Sequence, residues 1–563
     1  MSHALAVVGG SIVAMVDPSR PLGQAALTGA AKPLGKRTDA IPAFSLPLTW
    51  GNLVQLSSTL PGAAWTPELD AWAVEQVIAR TTTGEQLTYT PPEGRTPYPW
   101  QVEAAVMFAR VGGNLYSDDP GTGKTISALL AVMERHLRNA DALPALVVCP
   151  ASVCSAWLEA ARDWLGPWMR LIDYRGPKRA LPVALDGIVV TSYNTMTLDA
   201  VKLKRHAWGT VILDEHHLVK NRDAKRTQVA NQVCEGSRHV IALSGTPLTH
   251  SPDDVFATLR MIDPGTWPDH DRFVQRYCDT DAGDYGEPKV IGLRGDRAGE
   301  FYAGMAGAWR RVTKADALPF LPPKVRSTRT VTMPPKWRKV YDEFAKTMAA
   351  DLPDGGQLDV MSVLTQLTGL MAITAGPCRV EYEPDEDPDK ADHVHIHLEP
   401  GSWKVAALAE VLAERPEQQV LVFSPSRQLI ELAAARLDSD GITYAKIVGG
   451  QTTRKRDAEK EAFQAGERRV CLATTQAGGV GLTLTAASTV VFLSRPFSLV
   501  DALQAEDRAH RIGSERHESI EIVDIVTEHS IDQRVAAILR DREQSLEDFL
   551  RGAKKYDVKG LLE

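Results

Sequence analysis

At 563 residues the chain has room for three or four domains with large buried cores. Its 44% hydrophobic and 24% charged residues match a soluble globular protein and exclude a disordered or membrane-embedded one. A formal net charge of -8 argues against a wholly basic nucleic-acid binder, but a motor can hold a local basic groove on an acidic body. Cys149, Cys154, Cys234, Cys278, Cys378 and Cys471 form no CxxC pair and no ligand-like spacing. They read as reduced intracellular thiols rather than a disulfide framework.

The first apolar stretch, residues 4–16, lacks a basic leader, is interrupted by Gly9-Gly10 and is too short to span a bilayer. It reads as two short strands around a Gly-Gly turn. No later stretch is long and apolar enough to be transmembrane, so a cytoplasmic protein is expected, nucleoid-associated if bacterial or viral and nuclear if eukaryotic. Residues 1–85 read as a small α+β module whose Phe44, Trp50, Trp65 and Trp72 supply a compact aromatic core. A Pro-rich join at 89–99 follows.

Next, NLYS (114–117), ALVVCP (145–150), GIVVTS (187–192), TVILDE (210–215) and HVIALSG (239–245) read as strands. Ile126, Leu129, Leu130, Met133 and Leu137 repeat at helical spacing between the first two. Strands alternating with helices predict a parallel sheet covered on both faces, over 95–262. Residues 263–337 read as a polar helical insertion and crossing segment. The strand pattern resumes at QVLVFSP (419–425), TYAKIVGG (443–450), RRVCLATTQ (468–476), STVVFLSRP (488–496) and IEIVDIV (520–526), a second lobe over 338–530. Residues 531–563 read as a charged helical tail. The fold class is therefore α/β, with two doubly wound parallel-sheet lobes.

Three motifs carry chemistry. DDPGTGKT (118–125) lies where a strand runs into a helix, and such a Gly-rich turn cradles phosphates with backbone N–H groups and the helix dipole. Pro120, Gly121, Thr122 and Gly123 would form the cradle, Lys124 would reach the β- and γ-phosphates, and the Thr125 hydroxyl would ligate Mg²⁺. Asp118 stands where the strict pattern has Gly, so the match is to a relaxed variant. DEHH (214–217) ends a strand and so places two acids at the carboxyl edge of a parallel sheet. Asp214 would hold Mg²⁺ and Glu215 would orient and deprotonate the attacking water; a solvated surface turn is the alternative. QAEDRAHR (504–511) reads as a helix presenting Arg508 and Arg511 on one face. The pair would neutralise charge developing on the γ-phosphate, or else form a solvated face pairing with Glu506 and Asp507.

The ordered set TPYPWQ with Gln101, DDPGTGKT, VVCPASVCSAWLEA (147–160), VVTSYNTM (189–196), VILDEHHLVKN (211–221), ALSGTPLTH (242–250), LVFSPSRQ (421–428), LATTQAGGVGLTLTAASTVVF (472–492) and QAEDRAHRIG (504–513) resembles helicase superfamily two. Within it the chain is similar to the Swi/Snf (Snf-two-like) translocases, over roughly residues 97–526. RRVTKADALPFLPPK (310–324) resembles that family's crossing between lobes. The resemblance implies two RecA-like lobes, ATP and Mg²⁺ as cofactors, and double-stranded or branched DNA as partner. It implies that Gln101 reads the adenine edge, that Gly479 and Gln504 belong to the nucleotide site, and that Arg508 and Arg511 are arginine fingers. His217, Ser244 and Thr246 would couple that site to DNA, and Ser152, Thr191, Lys220 and Thr475 would touch the phosphate backbone. The chain departs from the family's pattern at His216 (usually Ala), at Arg495-Pro496-Phe497 (usually Trp-Asn-Pro) and at Ser514 (usually Gln).

LPLTWGNLVQL (46–56) with Pro61-Gly62, Trp65 and Trp72 resembles, over a short stretch, the HARP-type module of annealing helicases. In those proteins the module helps recognise forked or branched DNA, so this one is expected to be dispensable for the motor itself. His393, His395 and His397 alternate along a strand and would face one side; a surface hairpin with CRVEYE (378–383) explains them without a metal. The expected activity is that of an ATP-dependent double-stranded DNA translocase. A strand-separating DNA or RNA helicase and an ATP-driven protein–DNA remodeller are the alternatives.

Overall fold

The strands ALVVC, IVVTS, VLVFS and VCLAT are buried along their whole length, and period-two alternation divides each between two cores. The computed structural model describes residues 3–16, 32–34, 43–247, 251–282, 288–347, 349–351, 357–359, 363–383, 393–478 and 482–554. Its contacts divide the chain into two units, Met1–Ala317 with Ser545–Glu563, and Leu318–Gln544.

Among the described residues, the first unit contains a seven-stranded sheet in the order Trp309–Arg310, Gly113–Tyr116, His239–Leu243, Thr210–Asp214, Ala145–Cys149, Ile188–Ser192, Leu171–Asp173. Every neighbouring pair is parallel. Val147, Val190, Ile212 and Ile241 face one core, and Leu146, Val148, Val211 and Leu213 the other. The second unit repeats the design with six parallel strands, Lys324–Val331, Ile520–Thr527, Thr489–Phe492, Val420–Ser424, Val470–Thr474 and Tyr444–Ile447. There Val422, Leu472 and Val491 face one core, and Phe423, Cys471 and Val490 the other. These are two doubly wound α/β lobes of the RecA-like type.

The stretch 263–337 is not the helical insertion that its polarity predicts. It contains the helices His270–Tyr277 and Ala298–Gly304 and the antiparallel pair Cys278–Ala282 and Pro288–Leu293. It also supplies the edge strand of each large sheet, Trp309–Arg310 and Lys324–Val331. The first is two residues long, and the second is polar and largely exposed, as edge strands can be. Neither leaves an apolar run to detect.

The amino-terminal residues form a five-stranded sheet with the helices Trp50–Thr59 and Pro67–Thr81. Gly9 and Gly10 make the expected hairpin turn with φ of +55° and +76°. Trp50 is buried in the core cluster of this module, and Phe44, Trp65 and Trp72 are partly buried against that cluster. This module shares its core with the rest of the first unit. Ala303 belongs to the same cluster, Trp50 Nε1 donates to Ala303 O at 2.8 Å and Asn52 Nδ2 to Gly265 O at 3.1 Å. The buried Arg276–Glu300 ion pair, 2.6 Å, reaches Thr59 Oγ1 at 2.9 Å. Arg80 lies over the Trp50 ring, 5.1 Å from its centroid, and burial pulls its pKa down to about 10.

Because the module completes a core, its removal carries a cost that sequence alone does not show. Trp50→Ala is expected to destabilise the unit by about 3–5 kcal/mol, the usual range for a buried Trp truncation. A chain starting at Tyr89 is expected to unfold at a lower temperature than the full chain; equal melting temperatures would show the module to be separate.

Elsewhere, Cys378–Glu383 and His393–Leu398 form the expected antiparallel hairpin, with Glu381 opposite His395 and Arg379 opposite His397. His397 Nε2 meets Glu381 Oε2 at 3.2 Å, and no group of three metal-capable side chains occurs among the described residues. All six cysteines are buried and unbridged, but Cys149 Sγ and Cys154 Sγ lie 3.3 Å apart, a proximity their spacing did not announce. No described helix is long and apolar enough to cross a membrane.

Candidate nucleotide site and nucleic-acid contacts

The strand Gly113–Tyr116 delivers the Gly-rich loop to the start of the helix Lys124–Asn139. Gly121 and Gly123 adopt φ of +87° and +86°, which L side chains rarely adopt. A Cβ on Gly123 would stand 2.4 Å from Gln101 Nε2, and one on Gly245 would stand 2.7 Å from Pro120 Cδ. The loop is therefore approached closely from two sides, and glycine is required at both positions. Lys124 Nζ folds over the loop and donates to Asp118 O at 2.6 Å and Asp119 O at 3.1 Å.

Several neighbours hold this loop in shape. Thr122 is buried, donates Oγ1 to Asp119 O at 2.8 Å, and its carbonyl accepts Trp100 Nε1 at 2.9 Å. Gln101 is buried, and its carboxamide oxygen accepts the Tyr98 N–H at 2.9 Å. It thus caps the helix Pro99–Val111 while standing beside Gly123. Asp118 sits where the strict motif has glycine because its carboxylate is used: Oδ1 accepts Val312 N–H at 2.9 Å and Arg310 Nε at 3.2 Å.

Asp214 ends its strand with Oδ2 accepting Trp157 Nε1 at 2.8 Å and its carbonyl accepting Tyr193 OH at 2.8 Å. Both donors come from elements distant in sequence, and neither was legible as a site residue. Burial, and then the neighbouring Glu215 charge, push the Asp214 carboxyl up, against Trp157 and Lys124, which pull it down. For Glu215 burial also acts upward, but the His217 hydrogen bond and the charges of His217 and Lys124 outweigh it and hold this carboxyl below its usual range. Lys124 thus acts electrostatically on both acids, so loop and acid pair share one edge of the sheet. Glu215 has φ +53°, a strained conformation for a non-glycine residue that concentrates at functional sites.

His216 is fully buried with Thr258 Oγ1 2.8 Å from its Nδ1. Burial, reinforced by His217, pulls its pKa down to about 3, so the ring is neutral and Thr258 explains how histidine replaces the family's alanine. His217 Nδ1 stands 3.3 Å from both Ser244 Oγ and Glu215 Oε2. Ser244 Oγ lies 3.5 Å from Glu215 Oε2 and accepts the Thr246 N–H at 3.1 Å. The structure thus brings His217, Ser244 and Thr246 together with Glu215.

The residues fit a magnesium nucleotide: a Gly-rich turn at a helix start, a lysine and two acids stand at one edge of the parallel sheet. Thr125 and Asp214 would hold the ion, Lys124 the phosphates, and Glu215 the water.

Two of the four expected backbone contacts are corrected. Thr191 is fully buried in a strand covered on both faces and donates Oγ1 to Tyr174 O at 2.9 Å. Thr475 is 1% exposed. The Thr191 hydroxyl is thus taken up inside the fold. Ser152 is exposed on the turn Ala151–Val153, and Lys220 Nζ lies 3.5 Å from Asp254 Oδ1.

In the second unit, Gln504 lies on the helix Leu499–Glu506, while Gly479 lies outside the described residues. The expected Arg508/Arg511 helical face is corrected, since that helix ends at Glu506. Tight turns follow, in which Arg508 N–H bonds Ala505 O and Ala509 N–H bonds Glu506 O. Glu506 is no solvated partner either. It is fully buried and pairs with Arg326 at 2.6 Å, Arg495 at 2.8 Å and Lys324 at 3.4 Å. Arg495 also pairs with Asp524 at 2.7 Å and lies 4.0 Å from the Phe492 ring centroid, which gives the departure Arg495-Pro496-Phe497 a structural cause.

The two arginines therefore differ. Arg508 is 3% exposed and donates Nη1 to Leu482 O at 3.0 Å, whereas Arg511 is partly exposed and donates Nε to Asp507 O. Arg508→Ala is expected to lower the melting temperature by several degrees, because it leaves the buried Leu482 carbonyl without its donor. Arg511→Ala is expected to leave it unchanged and to lose roughly 10³-fold in hydrolysis, the scale of an arginine finger. Thermal melts beside phosphate-release rates check both; equal melting losses would remove the distinction.

A Gly-rich phosphate loop and an acid pair at the carboxyl edge of a parallel sheet, with a second lobe of the same design, define a helicase-type P-loop nucleotide site. The SNF2-related domain matches residues 100–377, and the helicase conserved C-terminal domain matches residues 403–513. The chain therefore carries an SNF2-related domain followed by a helicase conserved C-terminal domain, and the SNF2 family implies the use of ATP. It is 30% identical over 431 residues to a Caenorhabditis elegans homolog of the SWI/SNF-related matrix-associated actin-dependent regulator of chromatin subfamily A-like protein 1, covering 74% of this chain and 56% of that one. It is 27% identical over 491 residues to the mouse DNA annealing helicase and endonuclease ZRANB3, covering 84% of this chain and 42% of the relative. The chain thus spans about half the length of these relatives. Among solved structures it is similar to the Sulfolobus solfataricus SWI2/SNF2 ATPase core in complex with double-stranded DNA, at 18% identity and a TM-score of 0.40, covering 84% of this chain and 100% of that one.

Proposed function

We propose that this chain is an ATP-dependent double-stranded DNA translocase that couples hydrolysis to movement along duplex or branched DNA. The observation that carries this reading is the convergence of Lys124 and the Asp214–Glu215 pair on one sheet edge, linked through His217 and Ser244 to Thr246. Bound Mg²⁺ would neutralise phosphate charge and polarise the bond to be broken. Lys124 would compensate charge on the phosphates, and Glu215, ionised in the neutral range, would accept a hydrogen bond from the attacking water and orient it. The His217–Ser244–Thr246 path would carry the state of that carboxylate toward the DNA-contacting segments. A relative whose name describes a DNA annealing helicase supports the annealing of DNA strands as the task. The site of action would be the compartment that holds the DNA.

Binding is expected to be insensitive to sequence, because backbone contacts position the protein without reading bases, and to weaken steeply with salt through counterion release. Duplex DNA is expected to stimulate hydrolysis, and the motor to displace a triplex-forming third strand without separating a blunt duplex. Triplex displacement run beside strand separation, each with ATP and Mg²⁺, tests this. Separation of a long duplex would favour a helicase, a required protein partner would favour a remodeller, and stimulation by RNA alone would overturn the substrate class.

A further inference from the structure

We infer that Arg311 is a positioning residue for the phosphate grip and that the end of the helix Ile531–Lys554, through Glu547 and Phe549, holds Arg311 in place. The inference rests on the nucleotide-site reading above and deepens it. The Arg311 side chain is 6% exposed, yet its guanidinium meets three residues on two separate segments. Nη1 donates to Ser117 O at 3.2 Å and lies 3.1 Å from Asp119 Oδ1, while Nη2 donates to Glu547 Oε1 at 2.8 Å. The other Asp119 carboxylate oxygen accepts the Lys314 N–H at 2.9 Å. Asp119 is thus gripped from behind, and the carbonyls of Asp118 and Asp119 are the two that orient Lys124. The path runs from Glu547 to Arg311, to Asp119, to Lys124.

A second set of contacts fixes the same helix end. Phe549 packs 5.1 Å from the Trp309 ring and 6.0 Å from that of Phe301, and its carbonyl accepts Tyr302 OH at 2.9 Å. Leu550 is fully buried. Trp309 in turn donates Nε1 to Ser117 Oγ at 2.8 Å. A surface ion pair is worth little by itself. Here the arginine is buried, its fork is shared between Glu547 and two residues at the phosphate loop, Ser117 and Asp119, and an aromatic anchor two residues beyond Glu547 fixes the acid. The segment expected to be a charged tail is thereby part of the loop's support.

The test is nucleotide affinity of the full chain, measured with a fluorescent ATP analogue and Mg²⁺, alongside KM and kcat for ATP. Arg311→Met is expected to raise the dissociation constant and KM about tenfold, and Glu547→Lys several-fold, with kcat at saturation falling in both but by less than in Lys124→Ala. Glu547→Gln keeps the acceptor oxygen and should retain near-parental affinity. Where a variant folds poorly, the parent protein supplies the second readout. By reciprocity, bound nucleotide should slow amide exchange at residues 546–550, which a helix end that only packs would not show. A parent that binds no nucleotide overturns the nucleotide-site reading. A parent that binds it, with Arg311→Met and Glu547→Lys at equal affinity and no exchange response at 546–550, overturns this inference alone.

Discussion

Lys124→Ala is expected to lower DNA-stimulated ATP hydrolysis by at least about 10²–10³-fold, the scale of removing a single preorganised charge-stabilising donor, with little change in stability. Lys124 is partly exposed, begins its helix, and donates to the loop carbonyls of Asp118 and Asp119. Alanine is a strong helix former there, and the loop keeps its Thr122–Asp119 and Trp100–Thr122 hydrogen bonds. What is lost is the charge that would follow the phosphates. Phosphate release with duplex DNA and Mg²⁺, measured on a variant with the parental melting temperature, checks the assignment. A parental rate would reduce the loop to a structural turn.

Glu215→Gln is expected to separate binding from chemistry, with turnover falling by roughly 10²–10⁴-fold, the range for a general base, while nucleotide affinity is retained or rises. The cradle and Asp214 stay in place, and the amide oxygen can still accept from Ser244. The Glu215 charge is one of the causes that push the Asp214 carboxyl up. Its removal favours ionised Asp214, the form that holds a cation. A fluorescent analogue titrated with Mg²⁺, beside single-turnover hydrolysis, decides. A large loss of affinity would mean that Glu215 belongs to the grip and not to the chemistry.

The amino-acid sequence by itself determined the two sheets and the place of the chemistry. Each central strand is buried on both faces and so is a continuous apolar run, visible at ALVVC or VLVFS without knowing its neighbours. Gly121 and Gly123 must adopt positive φ, and Asp214 must end a strand; such constraints are local and therefore legible in residues 118–125 and 214–217. Only the tertiary structure decided what depends on partners far along the chain. The edge strands Trp309–Arg310 and Lys324–Val331 were hidden because an edge need not be apolar. Thr191 and Thr475 were read as surface donors, but a hydroxyl's direction is set by what packs over it, and both are buried. Arg508 and Arg511 share a spacing that puts them on one helical face, yet the helix stops at Glu506, where a buried carboxylate surrounded by Lys324, Arg326 and Arg495 fixes the chain. The amino-terminal module looked separate because its linker is Pro-rich, whereas its core is completed by Ala303, about 250 residues away. Trp157 and Tyr193, which hold Asp214, lie 57 and 21 residues from it. Spacing encodes what one helix or strand does with itself; which distant surfaces exclude water together is settled by packing.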